Sequence, residues 1–165
     1  MIKFRGGGGY HKVAKKFNSP EQTTDFTLKF YKDFVDKELS VSEQNRIGMI
    51  QASGRYSDEP MDAICIEAIE KCFIKCPLVP YDIVAYRAGR MHFDNRPYIS
   101  ASLLLSTAKK YNNKFGKIGV HKIIVKKEAK VFPLRALDKD YGDQEAEIII
   151  SSKKLKRRFG YYLYK

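Results

Sequence analysis

Residues 61–90 read MDAICIEAIEKCFIKCPLVPYDIVAYRAGR, and the change of period inside this stretch decides the fold class. Met61, Ile64, Cys65, Ala68, Ile69, Cys72 and Phe73 fall at i, i+3, i+4, i+7, i+8, i+11 and i+12, the spacing of a helix with one wide apolar face. Pro77 and Pro80 end that helix, because proline has no amide proton and clashes with the preceding turn. Past Pro80 the run 83–86 is β-branched and aromatic and reads as a strand.

The helical reading extends toward the N-terminus. Ser19-Pro20 is a helix start, and Phe26, Phe30 and Phe34 recur every four residues on a face that must be buried. Ser40 and Glu43 have capping-box spacing and open a second short helix through Ile47 and Ile50, ended near Gly54. Toward the C-terminus, runs 118–125, 131–134, 145–150 and 159–164 carry strand composition between Gly, Asn, Asp and Pro. Residues 103–111 fit a helix or an irregular loop. Helices first and strands later predict an α+β fold, with N-terminal helices packed on a mixed, mostly antiparallel sheet. The last run is expected beside 145–150, with Phe159, Tyr161 and Leu163 inward.

The 165 residues suit one domain, expected over 19–165 behind a basic, flexible arm over 1–18. Gly6 to Gly9 within that arm lack the Gly-Lys-Ser/Thr ending of a phosphate loop and read as a link. The net charge of +12 favours anionic partners, but it is unevenly placed. Residues 1–20 hold five Lys/Arg and no acids, residues 151–165 hold six and no acids, and the intervening body is nearly neutral. No apolar run reaches the ~18 residues of a membrane span, and the start has no apolar stretch of signal-peptide length, so a cytoplasmic location and no membrane partner are expected. Cys65, Cys72 and Cys76 have no Cys-x-x-Cys spacing, and His11, His92 and His121 are scattered, so the thiols read as reduced packing residues and no metal is expected.

Three segments carry chemistry. In Tyr86-Arg87-Ala88-Gly89-Arg90, strand alternation puts Arg87 on the face of Ile83 and Ala85, where burying a guanidinium is costly without a partner and an anion supplies one. In Tyr98-Ile99-Ser100-Ala101-Ser102, serines two apart share a strand face and can hold another side chain. In Asp143-Gln144-Glu145-Ala146-Glu147-Ile148-Ile149-Ile150, a strand would set Glu145 and Glu147 on one face about 7 Å apart, a carboxylate pair suited to breaking a glycosidic bond. Each segment also has a plain structural reading: a strand-end arginine reaching solvent, a loop cap and a solvated strand edge.

In this order the three segments resemble the R-S-E class of mono-ADP-ribosyltransferases, which includes clostridial toxins, bacterial effectors and T-even phage enzymes. The resemblance covers roughly residues 38–164. It implies an ADP-ribosyltransferase-like fold whose sheet forms an NAD cleft, with NAD as co-substrate. It implies that Arg87 binds the NAD diphosphate beside Ala88 and Gly89, and that Ser100 orients Glu147. It further implies that Glu147 holds the nicotinamide ribose and that Glu145 positions and deprotonates an arginine acceptor. Tyr141, in the turn from Asp138 to Gln144, takes the place of a target-recognition aromatic. Tyr111 and Lys114 take the places of the nicotinamide-stacking aromatic and the phosphate-binding base, with Phe115, Lys109 and Lys110 as rivals. The middle residue of the serine motif is Ala101 where the family has Thr. Ser100 follows Arg87 by only thirteen positions, which leaves Ser106-Thr107 as the alternative serine.

The function expected is transfer of ADP-ribose from NAD to an arginine of a protein, by a monomer whose basic ends favour an acidic or nucleic-acid-associated target such as RNA polymerase or ribosomal proteins. The small size leans toward a phage protein acting in host cytoplasm. The alternatives are a non-catalytic nucleic-acid-binding protein, with stacking aromatics in 159–164, and an NAD glycohydrolase or nucleic-acid ADP-ribosyltransferase on the same fold.

Overall fold

A computed structural model describes residues 14–50, 59–89, 98–114, 116, 119–137, 146–151 and 161–164, and they form an α+β arrangement. Helix α1 (Pro20–Thr27) starts as the sequence dictates: Ser19 is extended and its side chain accepts from the Gln22 amide at 3.4 Å. The chain then makes a π turn (Leu28–Lys32) before α2 (Asp33–Glu38). That turn corrects the every-fourth-residue reading. A π turn inserts one residue, so the buried series runs Phe26, Tyr31, Val35 and Leu39, while Phe30 and Phe34 are only partly buried.

Helix α3 (Val41–Gly48) has the capping box: the Glu43 amide donates to Ser40 Oγ at 3.2 Å, and the Ser40 amide donates to Glu43 Oε2 at 2.8 Å. Gly54, the expected end of this element, lies outside the described residues. Helix α4 (Glu59–Lys75) is longer than the periodicity demanded. It buries Cys65, Ala68, Ile69, Cys72 and Phe73, but Ile64 is 46 % exposed, so the buried stripe is narrower than the apolar one. Cys76 sits just past the helix, where its thiol donates to the Val131 carbonyl at 3.0 Å. The three cysteines are buried and form no disulfide.

The strands are β1 (Ile83–Ala88), β2 (Tyr98–Ser102), β3 (Val120–Val125), β4 (Val131–Pro133), β5 (Glu147–Ser151) and β6 (Tyr161–Tyr164), in sheet order β4-β5-β2-β1-β3-β6. Every strand pair is antiparallel, and the parallel contact among the described residues is a bridge from Lys15 to Ile83. The final strand pairs with β3, not with β5 as expected. Both edges of β5 are already occupied, by β2 and β4, and β3 offers the open edge. Of residues 103–111, those from Leu105 onward belong to a helix, α5 (Leu105–Lys114).

One face of the sheet carries Ile83, Ala85, Ile99, Ala101, Ile123, Val125, Ile148 and Ile150, all in the main core with the N-terminal helices and Phe17. The other face is covered in two places. Phe132, opposite Ile149, packs edge-on against Tyr31 with ring centroids 6.1 Å apart. Val84, Tyr86 and Val120 pack against Ala108 of α5. Between them in the strand order, on this face, lie Ser100, Ser102 and Glu147, whereas Arg87 belongs by register to the face of Ile83 and Ala85.

Candidate functional site

The sheet is joined unevenly at its centre. β1 pairs along its whole length with β3, and β2 along its whole length with β5, yet β1 and β2 meet at one ladder position, Tyr86 opposite Ser102. In a continued ladder the next pair would be Ala88 and Ser100. There the Ser100 carbonyl instead accepts a hydrogen bond from Arg87 Nη1. The sequence explains part of this. Tyr86 is buried and anchors the junction, whereas Arg87, Ala88 and Gly89 that follow are half-buried, and Gly89 takes a left-handed φ of 83°. A Cβ placed on Gly89 would meet nothing within 4 Å among the described residues. Arg87 therefore stands on the register face of Ile83 and Ala85, as alternation required, and its guanidinium ties β1 to β2 where their ladder stops.

Across β2, Ser102 lies opposite Glu147 and Ser100 lies opposite Ile149, so both serines and the carboxylate share one face. Ser100 Oγ donates to Glu147 Oε1 along the diagonal of the ladder. This bond from a neutral donor to an anionic acceptor fixes one carboxylate oxygen and leaves the carboxylate half-buried. Ser102 has a different duty. It is buried, and its Oγ accepts from the Leu104 amide at 3.0 Å, turning the chain out of β2 into α5. Of the candidate serines, Ser100 reaches Glu147, while Ser106 is exposed on α5 and Thr107 is buried there.

The expected strand 145–150 begins at Glu147. Ala146, immediately before it, is the non-glycine residue with positive φ, 44°, among those described. Ala146 is buried, and its carbonyl accepts from the Leu103 amide at 3.0 Å. No sequence signal marks this feature, since Gly or Asn, not Ala, announces a left-handed position. Glu145, Tyr141 and the turn from Asp138 to Gln144 lie outside the described residues, as does Phe115.

Tyr111 and Lys114 occupy the last turn of α5, half-buried and exposed respectively, on the helix that covers Val84 and Tyr86. Asn112 Oδ1 accepts from the Gly119 amide at 2.7 Å and ties that turn to the start of β3. The Ser100 segment thus links the two others, its hydroxyl donating to Glu147 on one face and its main-chain carbonyl accepting from Arg87, which belongs by register to the opposite face, with Tyr111 and Lys114 on a neighbouring element. A guanidinium and an oriented carboxylate at one junction can hold an anion and stabilise an adjacent positive charge. Among the described residues no three His, Cys, Asp or Glu side chains are placed to hold a metal ion, and no helix is long and apolar enough to cross a membrane. Comparison with protein-family models, with curated proteins and with solved structures finds no match to this chain.

Proposed function

We propose that this chain is a mono-ADP-ribosyltransferase that uses NAD to modify an arginine of a protein. The observation that supports this most is the bond from the Ser100 hydroxyl to Glu147, 47 residues away, with Arg87 bonded to the main-chain carbonyl of the same serine, a serine–glutamate pairing that the R-S-E resemblance implies.

In this reading Arg87, flanked by Ala88 and Gly89, receives the diphosphate of NAD. Tyr111 stacks on nicotinamide and Lys114 meets phosphate. The bond between ribose C1′ and the nicotinamide nitrogen breaks, and its electron pair leaves with nicotinamide. Glu147, held by Ser100, binds the ribose hydroxyl and stabilises the positive charge that develops on the sugar. A guanidinium nitrogen of the acceptor forms the new bond to C1′ and gives its proton to Glu145. Tyr141 contacts the target. No metal takes part in this reading. The protein acts as a cytoplasmic monomer, and its basic ends draw it to an acidic or nucleic-acid-associated target such as transcription or translation machinery.

The test is incubation of the full chain with NAD labelled on the adenylate, together with poly-L-arginine or with bacterial and eukaryotic lysates. The wild type labels protein and releases nicotinamide, and Glu147→Gln does neither. Glu145→Gln keeps some nicotinamide release and loses transfer. Full transfer by Glu147→Gln overturns the assignment. Nicotinamide release without labelled protein would identify a glycohydrolase, and label on nucleic acid would identify a nucleic-acid transferase. Nucleic-acid binding that falls steeply with salt and consumes no NAD would identify a binding protein.

A further inference from the structure

We infer that Ala146 is a positioning residue for Glu147, and that its left-handed backbone is a functional feature of the site. The inference rests on the transferase reading above and deepens it. An L-residue with a side chain pays for a left-handed conformation, and it stays there only when its surroundings leave no alternative. Three contacts impose it here. The Ala146 side chain is buried in the main core, at 4 % exposure. Its carbonyl is held by the Leu103 amide at 3.0 Å, one step beyond the Ser102–Glu147 ladder pair. The residue that follows has its carboxylate held by Ser100 Oγ. The peptide between Ala146 and Glu147 is therefore fixed on both sides, and Glu147 is set as the first residue of β5, half-buried, with its carboxylate aligned on Ser100.

Glycine would relieve the strain, but it visits negative φ as readily as positive φ and brings no Cβ to the core. It would leave the fold intact and loosen the carboxylate. Valine tolerates positive φ poorly and would drive the backbone toward the extended region, turning Glu147 away from Ser100.

The experiment measures nicotinamide release from NAD, with water or poly-L-arginine as acceptor, beside thermal unfolding. In the water reaction the C1′–nitrogen pair leaves with nicotinamide, a C1′–oxygen bond forms and the water proton passes to solvent. Ala146→Gly should unfold at or above the wild-type temperature while kcat falls about tenfold with KM for NAD unchanged. Ala146→Val should lose more of kcat. A structural role alone predicts the opposite for glycine: unchanged activity, or a loss that follows stability. Wild-type kcat in Ala146→Gly, or a rise in KM in step with the fall in kcat, overturns the inference while Glu147→Gln still reports on the transferase reading. A wild-type chain that consumes no NAD overturns both.

Discussion

Ser100 Oγ donates its proton to Glu147 Oε1 although the two residues are not opposite one another in the β2–β5 ladder; they sit on its diagonal, Ser100 facing Ile149 and Glu147 facing Ser102. The longer glutamate side chain spans the offset, and one of its oxygens is thereby committed. Ser100→Ala should lower nicotinamide release about 10- to 100-fold, the cost of losing one hydrogen bond to a charged group, without a matching loss of stability. Ser106→Ala, at an exposed position on α5, should stay within about twofold of wild type. Equal losses in the two variants would overturn the choice of serine.

Arg87 bridges β1 and β2 where the ladder between them has ended. Lysine keeps the charge but has no planar fork, so it cannot hold the Ser100 carbonyl and grip a diphosphate with the same group. Arg87→Lys should raise KM for NAD about tenfold with a smaller change in kcat. Steady-state kinetics at fixed ionic strength would separate the two effects.

Tyr31 is fully buried, and its hydroxyl has no hydrogen-bond partner among the described residues. Burial pushes its phenol well above the usual tyrosine range. The ring packs edge-on against Phe26 and Phe132, contacts that phenylalanine keeps. Tyr31→Phe should therefore stabilise the protein by about 1 kcal/mol, read by urea unfolding. A clear loss of stability would show that the hydroxyl is satisfied.

The capping box of α3 makes a prediction about acid. The bond from the Ser40 amide, followed by that from the Ser40 hydroxyl, holds the Glu43 carboxyl below its ordinary range. A carboxyl lowered in the folded state stabilises above its unfolded value, and that contribution is lost as pH falls through the folded value. Ser40→Ala should cost about 1 kcal/mol at neutral pH. The cost of Glu43→Gln should shrink as pH drops below the carboxylate range. A cost independent of pH would mean that charge plays no part in the cap.

Much of this protein could be read from the chain because the causes are local. Ser19-Pro20 and the Ser40–Glu43 pair dictate helix starts through bonds within one turn, and the shift after Pro80 from helical to strand spacing dictates α+β. The Arg87, Ser100 and Glu147 segments were legible as well, since an arginine on an apolar strand and polar residues spaced two apart are anomalies visible in one dimension. Other features were settled by contacts between residues far apart. A π turn brings Tyr31 onto Phe132 and leaves Phe30 and Phe34 only partly buried against the core. β6 goes to β3 because β5 has no free edge. Ser100 rather than Ser106 holds Glu147 because the β2–β5 register places it on the diagonal. Ala146 is left-handed because the core and the Leu103 amide close around it, which no propensity of alanine foretells. Local hydrogen bonding and periodicity are written into neighbouring residues, whereas register, edge occupancy and forced backbone conformations exist only once the strands have met.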